Sequence, residues 1–229
     1  VTLADLLNEL RVSRLDDAVQ PYLWSDDELV SFLNDAVRQV CIRQRCLLES
    51  TQSFCTINVA AGTQLVPVDP HILAIRFLRQ DGSTSNMQPA GITSKRFFKL
   101  HATWDTDTDT TGDLEYWVPD YQNGFIALFP LPTADIVLKL NVWRLPIEDE
   151  ELTLADPTAE PVVNPAWHVD LLDWVVYRAF SKPDSDTEQQ ARATAAAQTF
   201  TAKVGRLPSA TEIRLWGVSP IVGSLPQFV

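Results

Sequence analysis

Ser25-Asp-Asp-Glu-Leu-Val-Ser-Phe-Leu-Asn-Asp-Ala-Val-Arg-Gln-Val-Cys41 is the stretch from which the fold is read. Ser25 and Glu28 form a capping box, because the hydroxyl and the carboxylate can satisfy the first two orphan amides of a helix reciprocally. Behind it Leu29, Phe32, Leu33, Ala36, Val37, Val40 and Cys41 recur at i, i+3 and i+4, which predicts an amphipathic helix ending near Leu48. Arg38, Arg43 and Arg45 fall off that stripe and read as a solvated face. Upstream, Leu3, Leu6, Leu7 and Leu10 predict a short helix over 2–10, which Pro21 separates from the long one. The N-terminal part, 1–50, is therefore helical.

From Phe54 to Leu145 the period changes to short β-branched or aromatic runs, FCTINV, TQLVPV, ILAIRFLR, LEYWV, GFIALFP and DIVLKLNVW. Turn residues separate them, notably Ala61-Gly62 and Asn123-Gly124, the latter a good hairpin cue. Residues 51–147 thus read as one antiparallel β module inserted between helices. The stretch 148–164 is an acidic, Pro-rich connector with no regular structure expected. Asn164 and Pro165 supply an N-cap and a first-turn proline, so helix resumes across 165–206. Within it Lys182-Pro183-Asp184 makes a break, and Ser185 with Glu188 forms a second capping box. An Ala-rich helix follows to about Val204, and Gly205 is its C-cap. Residues 207–229, with Pro208, Pro220 and Pro226 among apolar side chains, read as an extended arm. The fold class is α+β: a helical bundle from both chain ends around an inserted antiparallel module.

The 229 residues are 45% hydrophobic and 21% charged, which suits a globular chain with a core of its own and excludes disorder. No apolar run approaches the roughly 18 residues of a membrane span, and the first residues lack a basic leader, so no membrane partner is expected. The net charge is −12. Between Asp105 and Pro161 lie 13 acidic and 2 basic residues, so this quarter of the chain carries most of it. Arg76, Arg79, Lys95, Arg96 and Lys99 make the preceding stretch locally basic. Overall acidity argues against sequence-specific DNA binding, which needs a basic face to displace counterions. Cys41, Cys46 and Cys55 match no zinc or redox spacing and read as free thiols of a reducing cytoplasm.

Chemistry-bearing patterns are few. Asp105, Asp107, Asp109, Gly112 and Asp113 place carboxylates at positions 1, 3 and 5, as a calcium loop does. Yet Thr110 stands at the sixth position and Tyr116 at the twelfth, where such a loop has Gly and a bidentate Glu. A solvated acidic loop is the better reading, and no cofactor or metal is assigned. No nucleophile elbow, phosphate loop or zinc-protease motif occurs, His168 reads as a structural histidine at a helix start, and no catalytic residue is named. A hydrolase would need groups assembled from distant segments. Of the seven tryptophans, Trp104, Trp117, Trp143, Trp167 and Trp174 are core candidates, whereas Trp216 sits in the arm, where a large aromatic marks a contact.

The order of several short pieces resembles the head-to-tail adaptor (head-completion, or connector) proteins of tailed bacteriophages. Trp24 to Ala36 is similar to their opening helix. Ala61-Gly-Thr63, Leu65-Val-Pro67, Asp69, Trp104, Gly124 to Pro132, Leu138 to Val142 and Arg144-Leu-Pro146 follow in register. Trp167-His168, Leu171 to Trp174, Arg178-Ala179 and Asp184 stand at the second helical hairpin. The resemblance spans about Leu29 to Phe200. It implies a virion structural protein at the head–tail junction, made in the host cytoplasm, with no enzyme activity. It further implies a homo-oligomeric ring, typically of twelve copies, between a portal protein and a tail nozzle or tube protein, with DNA passing non-specifically through its lumen. Two sets of contact residues are expected. Ile213, Leu215, Trp216, Ile221, Leu225 and Phe228 would bind the portal or a neighbouring subunit, since an apolar segment that cannot build its own core orders on binding. Asp105, Asp107, Asp109, Glu148, Asp149, Glu150 and Glu151 would face the channel or a basic neighbour, where negative charge lets DNA slide. A different class of function, calcium-dependent binding of carbohydrate or a host surface through the Asp105–Asp113 loop, is the alternative.

Overall fold

A computed structural model describes residues 1–91, 94–183 and 189–216. It is α+β, with helices and strands segregated along the chain. The chain divides into two compact units, Val1–Leu47 with Arg144–Pro208, and Leu48–Trp143 with Ser209–Val229.

The first unit is helical. Helix α1 (Leu3–Glu9) opens on a capping box in which Thr2 accepts from the Asp5 amide and Asp5 answers at the Thr2 amide. A wider π-helical turn, Leu10–Leu15, continues it and ends at Asp16 in the left-handed region. Helix α2 (Asp26–Gln44) starts at the Ser25–Glu28 capping box and buries Leu29, Leu33, Ala36, Val37, Val40 and Cys41, as the sequence period requires. It stops at Arg45, whose φ of 49° breaks the ladder. Later in the chain, α4 (Leu171–Phe180) and α5 (Gln190–Val204) pack on each other, and α4 packs on α2. Trp24 and Phe180 meet edge-on with ring centroids 5.3 Å apart, and the Trp24 indole donates to the Ala179 carbonyl. Such pairs add about 1 kcal/mol beyond the area they bury.

Several charges in this unit are paired within the fold. The Arg11 guanidinium, 7% exposed, donates to Asp17 at 2.8 Å and to Asp26 at 2.5 Å. Arg14 and Lys203 both reach the buried Asp173, at 3.3 and 2.9 Å, and Lys203 also reaches Asp170. The hydrogen bonds that the Lys203 ammonium donates to Asp173, then to Asp170, hold it above its ordinary range. A raised folded value means this contribution is complete below the unfolded lysine pKa of about 10.4 and is lost as pH rises through the folded one. The melting-temperature lead of the parent over Lys203→Met should therefore persist at pH 7 and close only once the pH rises beyond the ordinary lysine range of about 10.4. A lead that is absent at pH 7 would show that the pair contributes nothing.

Two departures from the sequence reading belong to this unit. Helix does not resume directly at Pro165. A 3-10 turn, Pro165–Trp167, capped by Asn164, comes first, and α4 begins at Leu171. The connector is irregular apart from a 3-10 turn at Glu148–Glu150, yet it is pinned. The Asn34 side chain exchanges two 2.9 Å hydrogen bonds with the Leu152 backbone, and the Leu3 amide donates to the Ala159 carbonyl. His168, read from the sequence as structural, is fully buried and donates from Nε2 toward the Pro161 and Val163 carbonyls. The Ser185–Glu188 capping box lies outside the described residues; α5 is described from Gln190 and ends at Gly205.

The second unit holds two sheets where the sequence suggested one. In the first, β8 (Ile136–Arg144) pairs antiparallel with β1 (Leu48–Glu49) and β2 (Thr56–Val59), and also with β4 (Ile72–Gln80). The second runs β3 (Leu65–Pro67), β7 (Phe125–Phe129), β6 (Tyr116–Gln122), β5 (Gln88–Pro89). Its β5–β6 pair is parallel, so the unit is not wholly antiparallel. A core of Leu78, Trp117, Ile126, Leu128, Leu138 and Val142 joins residues of both sheets. The Asn123-Gly124 turn closes the β6–β7 hairpin, with Gly124 at φ +77°, where a Cβ would be strained. A further helix, α3 (Lys95–Leu100), lies between β5 and β6 in sequence.

The arm is also corrected in part. Residues 210–215 form helix α6 (Ala210–Leu215), opened by a capping box between Ser209 and Glu212. Pro208 stands before this cap, where it does not interrupt the helix.

Candidate interaction surfaces

One concavity of the sheet unit is built by the strands around the β6–β7 hairpin. It is a cleft of about 470 Å³ walled by Val68, Ile72, Leu73, Trp117, Phe125 and Ile126, with Asp69 and Asn123 as polar lining. Trp117 reaches it from the sheet core, where it is 2% exposed. Ile213 of α6 lines the same cleft. The size falls within the roughly 300–1,000 Å³ range of sites that bury a small ligand or a few side chains.

A second surface follows from an aromatic cluster. Phe97 of α3 is 4% exposed and sits within 6 Å, ring to ring, of His101, Trp104, Tyr116 and Phe129. That anchor turns the rest of the helix outward: Lys95, Arg96, Phe98, Lys99 and Leu100 are all exposed. No ion pair engages Lys95, Arg96 or Lys99 among the described residues. The basic stretch seen in the sequence is thus a cationic face with two large apolar side chains on it.

The acidic loop follows α3 directly. Asp105 and Asp109 are exposed, while Asp107 folds back on its own turn. Its Oδ1 accepts from the Asp109 and Thr110 amides at 3.0 and 2.9 Å, and its Oδ2 from the Thr110 hydroxyl at 2.6 Å. The Thr110 hydroxyl, then those amides, hold the carboxyl below its usual range. Asp107 therefore already spends its oxygens on its own loop. Among the described residues no group of three or more His, Cys, Asp or Glu side chains is placed to hold a metal ion. Nothing supports the calcium-dependent module. A calorimetric titration should give a calcium dissociation constant weaker than about 10⁻⁴ M, and one at or below about 10⁻⁵ M would overturn this.

The remaining acidic residues separate. Glu148 and Asp149 are exposed. Glu150 takes both guanidinium nitrogens of Arg144 at 2.5 and 2.7 Å, and Glu151 pairs with Arg38. These two carboxylates are engaged within the protein, so they offer a channel or a basic neighbour less than their charge suggests. Of the proposed arm contacts, Ile213 is 43% exposed, and Leu215 and Trp216 are half-buried. Ile221, Leu225 and Phe228 lie outside the described residues. The sequence reading missed the cleft and the outward face of α3. The Ser209–Glu212 spacing could have flagged α6, but no local signal marks a cleft built from separate strands.

No described helix is long and apolar enough to cross a membrane. The family model described as SU10 adaptor protein matches residues 1–222, which takes in both units. No curated protein matches the chain.

Proposed function

Because this chain belongs to the SU10 adaptor protein family, a bacteriophage structural adaptor, we propose that it is the head-to-tail adaptor of a virion, a homo-oligomeric ring between portal and tail through which DNA passes. The observation that carries the reading is the match across residues 1–222, which takes in both units. Several features support it. The protein has charge to spare, with the cationic α3 face and the exposed Asp105 and Asp109 on the sheet unit, and the exposed Glu148 and Asp149 on the helical unit, available to other chains or to the channel. Its net charge of −12 suits a wall past which DNA slides without sticking. The proposed partners are the portal, a tail nozzle or tube protein and further copies of the chain, twelve in the ring. The arm residues Ile213, Leu215, Trp216, Ile221, Leu225 and Phe228 are proposed to contact the portal or a neighbouring copy. The role is structural, with no catalytic group assigned.

Co-expression with the cognate portal, followed by native mass spectrometry and electron microscopy, tests the proposal. The expected result is a stable portal complex with a ring of this chain stacked on one end. A chain that stays separate from the portal at tens of micromolar would overturn it.

A further inference from the structure

We propose that Cys41 and Cys46 form a dithiol site, which a small-molecule disulfide of the glutathione class oxidises to an intramolecular disulfide that closes the end of α2. Their spacing matches no redox motif, and the pairing follows instead from the way the helix stops. Arg45 takes the left-handed conformation, with φ 49°, and its amide donates to the Cys41 carbonyl at 2.8 Å. A helix ended by such a residue turns its chain back, so that the next side chain packs on the last turn. Here the next residue is Cys46, and the side chain it meets is Cys41. Their sulfurs lie 3.8 Å apart, within reach of an S–H···S hydrogen bond. A disulfide holds its sulfurs at about 2.05 Å, so bond formation asks for an approach of roughly 1.8 Å within one helix end.

The two thiols differ in what they can do. Cys41 is fully buried, whereas Cys46 is half-buried and open to a reagent. When Cys46 is a thiolate, the Cys41 S–H donates to it, which holds Cys46 below the usual thiol range. The same hydrogen bond, then burial, pushes Cys41 up. Cys46 is therefore the attacking sulfur, because exchange runs through the thiolate. It attacks one sulfur of the reagent, forms a mixed disulfide and releases a thiolate, which takes up the proton Cys46 had lost. That step removes the Cys46 charge, one of the causes that hold the proton on Cys41. Cys41 then attacks the Cys46 sulfur and expels the second half of the reagent, which leaves with the Cys41 proton. Across both steps two protein thiols are oxidised to one disulfide, and one reagent disulfide is reduced to two thiols.

In reducing surroundings the pair rests as two thiols. In oxidising ones the bond ties the last turn of α2 to the segment that leaves it. The loop it closes is short, so its stability depends on the fold having placed the sulfurs together beforehand.

The full-length protein is equilibrated with oxidised and reduced glutathione at fixed ratios, quenched with acid, and read by intact mass and peptide mapping. The expected product is lighter by about 2 Da, carries a Cys41–Cys46 disulfide and keeps Cys55, which is fully buried, as a thiol. Cys41→Ser should stop at the mixed disulfide on Cys46, a gain of about 305 Da. Cys46→Ser should take up no glutathione. The equilibrium constant for closing the bond should be on the order of tenfold or more larger in the native protein than in the same chain in urea. A native constant equal to or below the urea value would show that the helix end does not prepare the pair, and it overturns the proposal. So does a native protein that keeps all 3 cysteines as thiols, or one whose disulfide includes Cys55. Should Cys41→Ser fail to fold, as judged by its melting curve, Cys46→Ser decides the order of attack. Reaction of that variant at the parent's rate would place the attacking sulfur elsewhere and sink the assignment.

Discussion

Arg11→Ala should destabilise the helical unit by about 3–5 kcal/mol, the cost of breaking a buried ion pair by removing one partner. Asp17 is 4% exposed and would keep its charge with no cation beside it. It would still accept from the Leu23 and Trp24 amides at 2.9 and 3.3 Å, which keeps the carboxylate in place rather than letting it swing to water. The same arginine donates to the Trp24 carbonyl at 3.0 Å and lies 3.6 Å over the Tyr22 ring. One side chain therefore ties the π-helical turn to the segment that enters α2. Substituting both partners, Arg11→Met with Asp17→Asn, should recover much of the loss, since a neutral pair leaves no isolated charge. Urea unfolding followed by far-ultraviolet circular dichroism measures both. A loss below about 1 kcal/mol for Arg11→Ala, the scale of a surface pair, would show that water reaches the site.

Trp117→Ala should have a comparable effect in the sheet unit, about 3–5 kcal/mol for truncating a large buried aromatic. Trp117 is 2% exposed, pairs in the ladder with Leu128 and belongs to the core that takes residues from both sheets. Its removal leaves a cavity beside a cleft that is already open, so collapse is less able to heal it. Trp117→Phe, which keeps most of the apolar area, should cost less than half as much. Near-ultraviolet circular dichroism and thermal melting read the outcome. Equal losses for Ala and Phe would mean that the indole nitrogen, not the packing, is what matters.

What could be read from the sequence was what repeats locally. The capping box and stripe of α2, the Gly205 stop of α5 and most strands all announce themselves within ten or so residues. The parallel Gln88–Pro89 pairing does not, because its partner lies beyond a helix and a loop. Helix α3 was missed because six residues hold too little of a 3.6-residue period to outvote their β-like neighbours. Its identity depends on Phe97 finding Trp104, Tyr116 and Phe129. Helix α6 had a local signal in Ser209 and Glu212, overruled by the nearby prolines. Charge was the least legible property. Counting carboxylates gave the right total, but only three-dimensional pairing separates Glu150, bound to Arg144, from Asp109, open to water. The cleft shares this limit, being built by strands distant in sequence, whereas the apolar arm is visible in composition alone.

The division of the chain has a consequence for its synthesis. The helical unit is assembled from Val1–Leu47 and Arg144–Pro208, and the whole of Leu48–Trp143 is translated between them. Helix α2 packs against α4, yet α4 does not begin until Leu171. At about 5–20 residues per second, the apolar stripe of α2 emerges on the order of ten seconds before the helix that covers it. The sheets meanwhile have all their strands and can close first. The nascent chain thus carries a folded body behind an uncovered amphipathic helix, a species suited to chaperone capture and prone to premature pairing with neighbours on the same polysome.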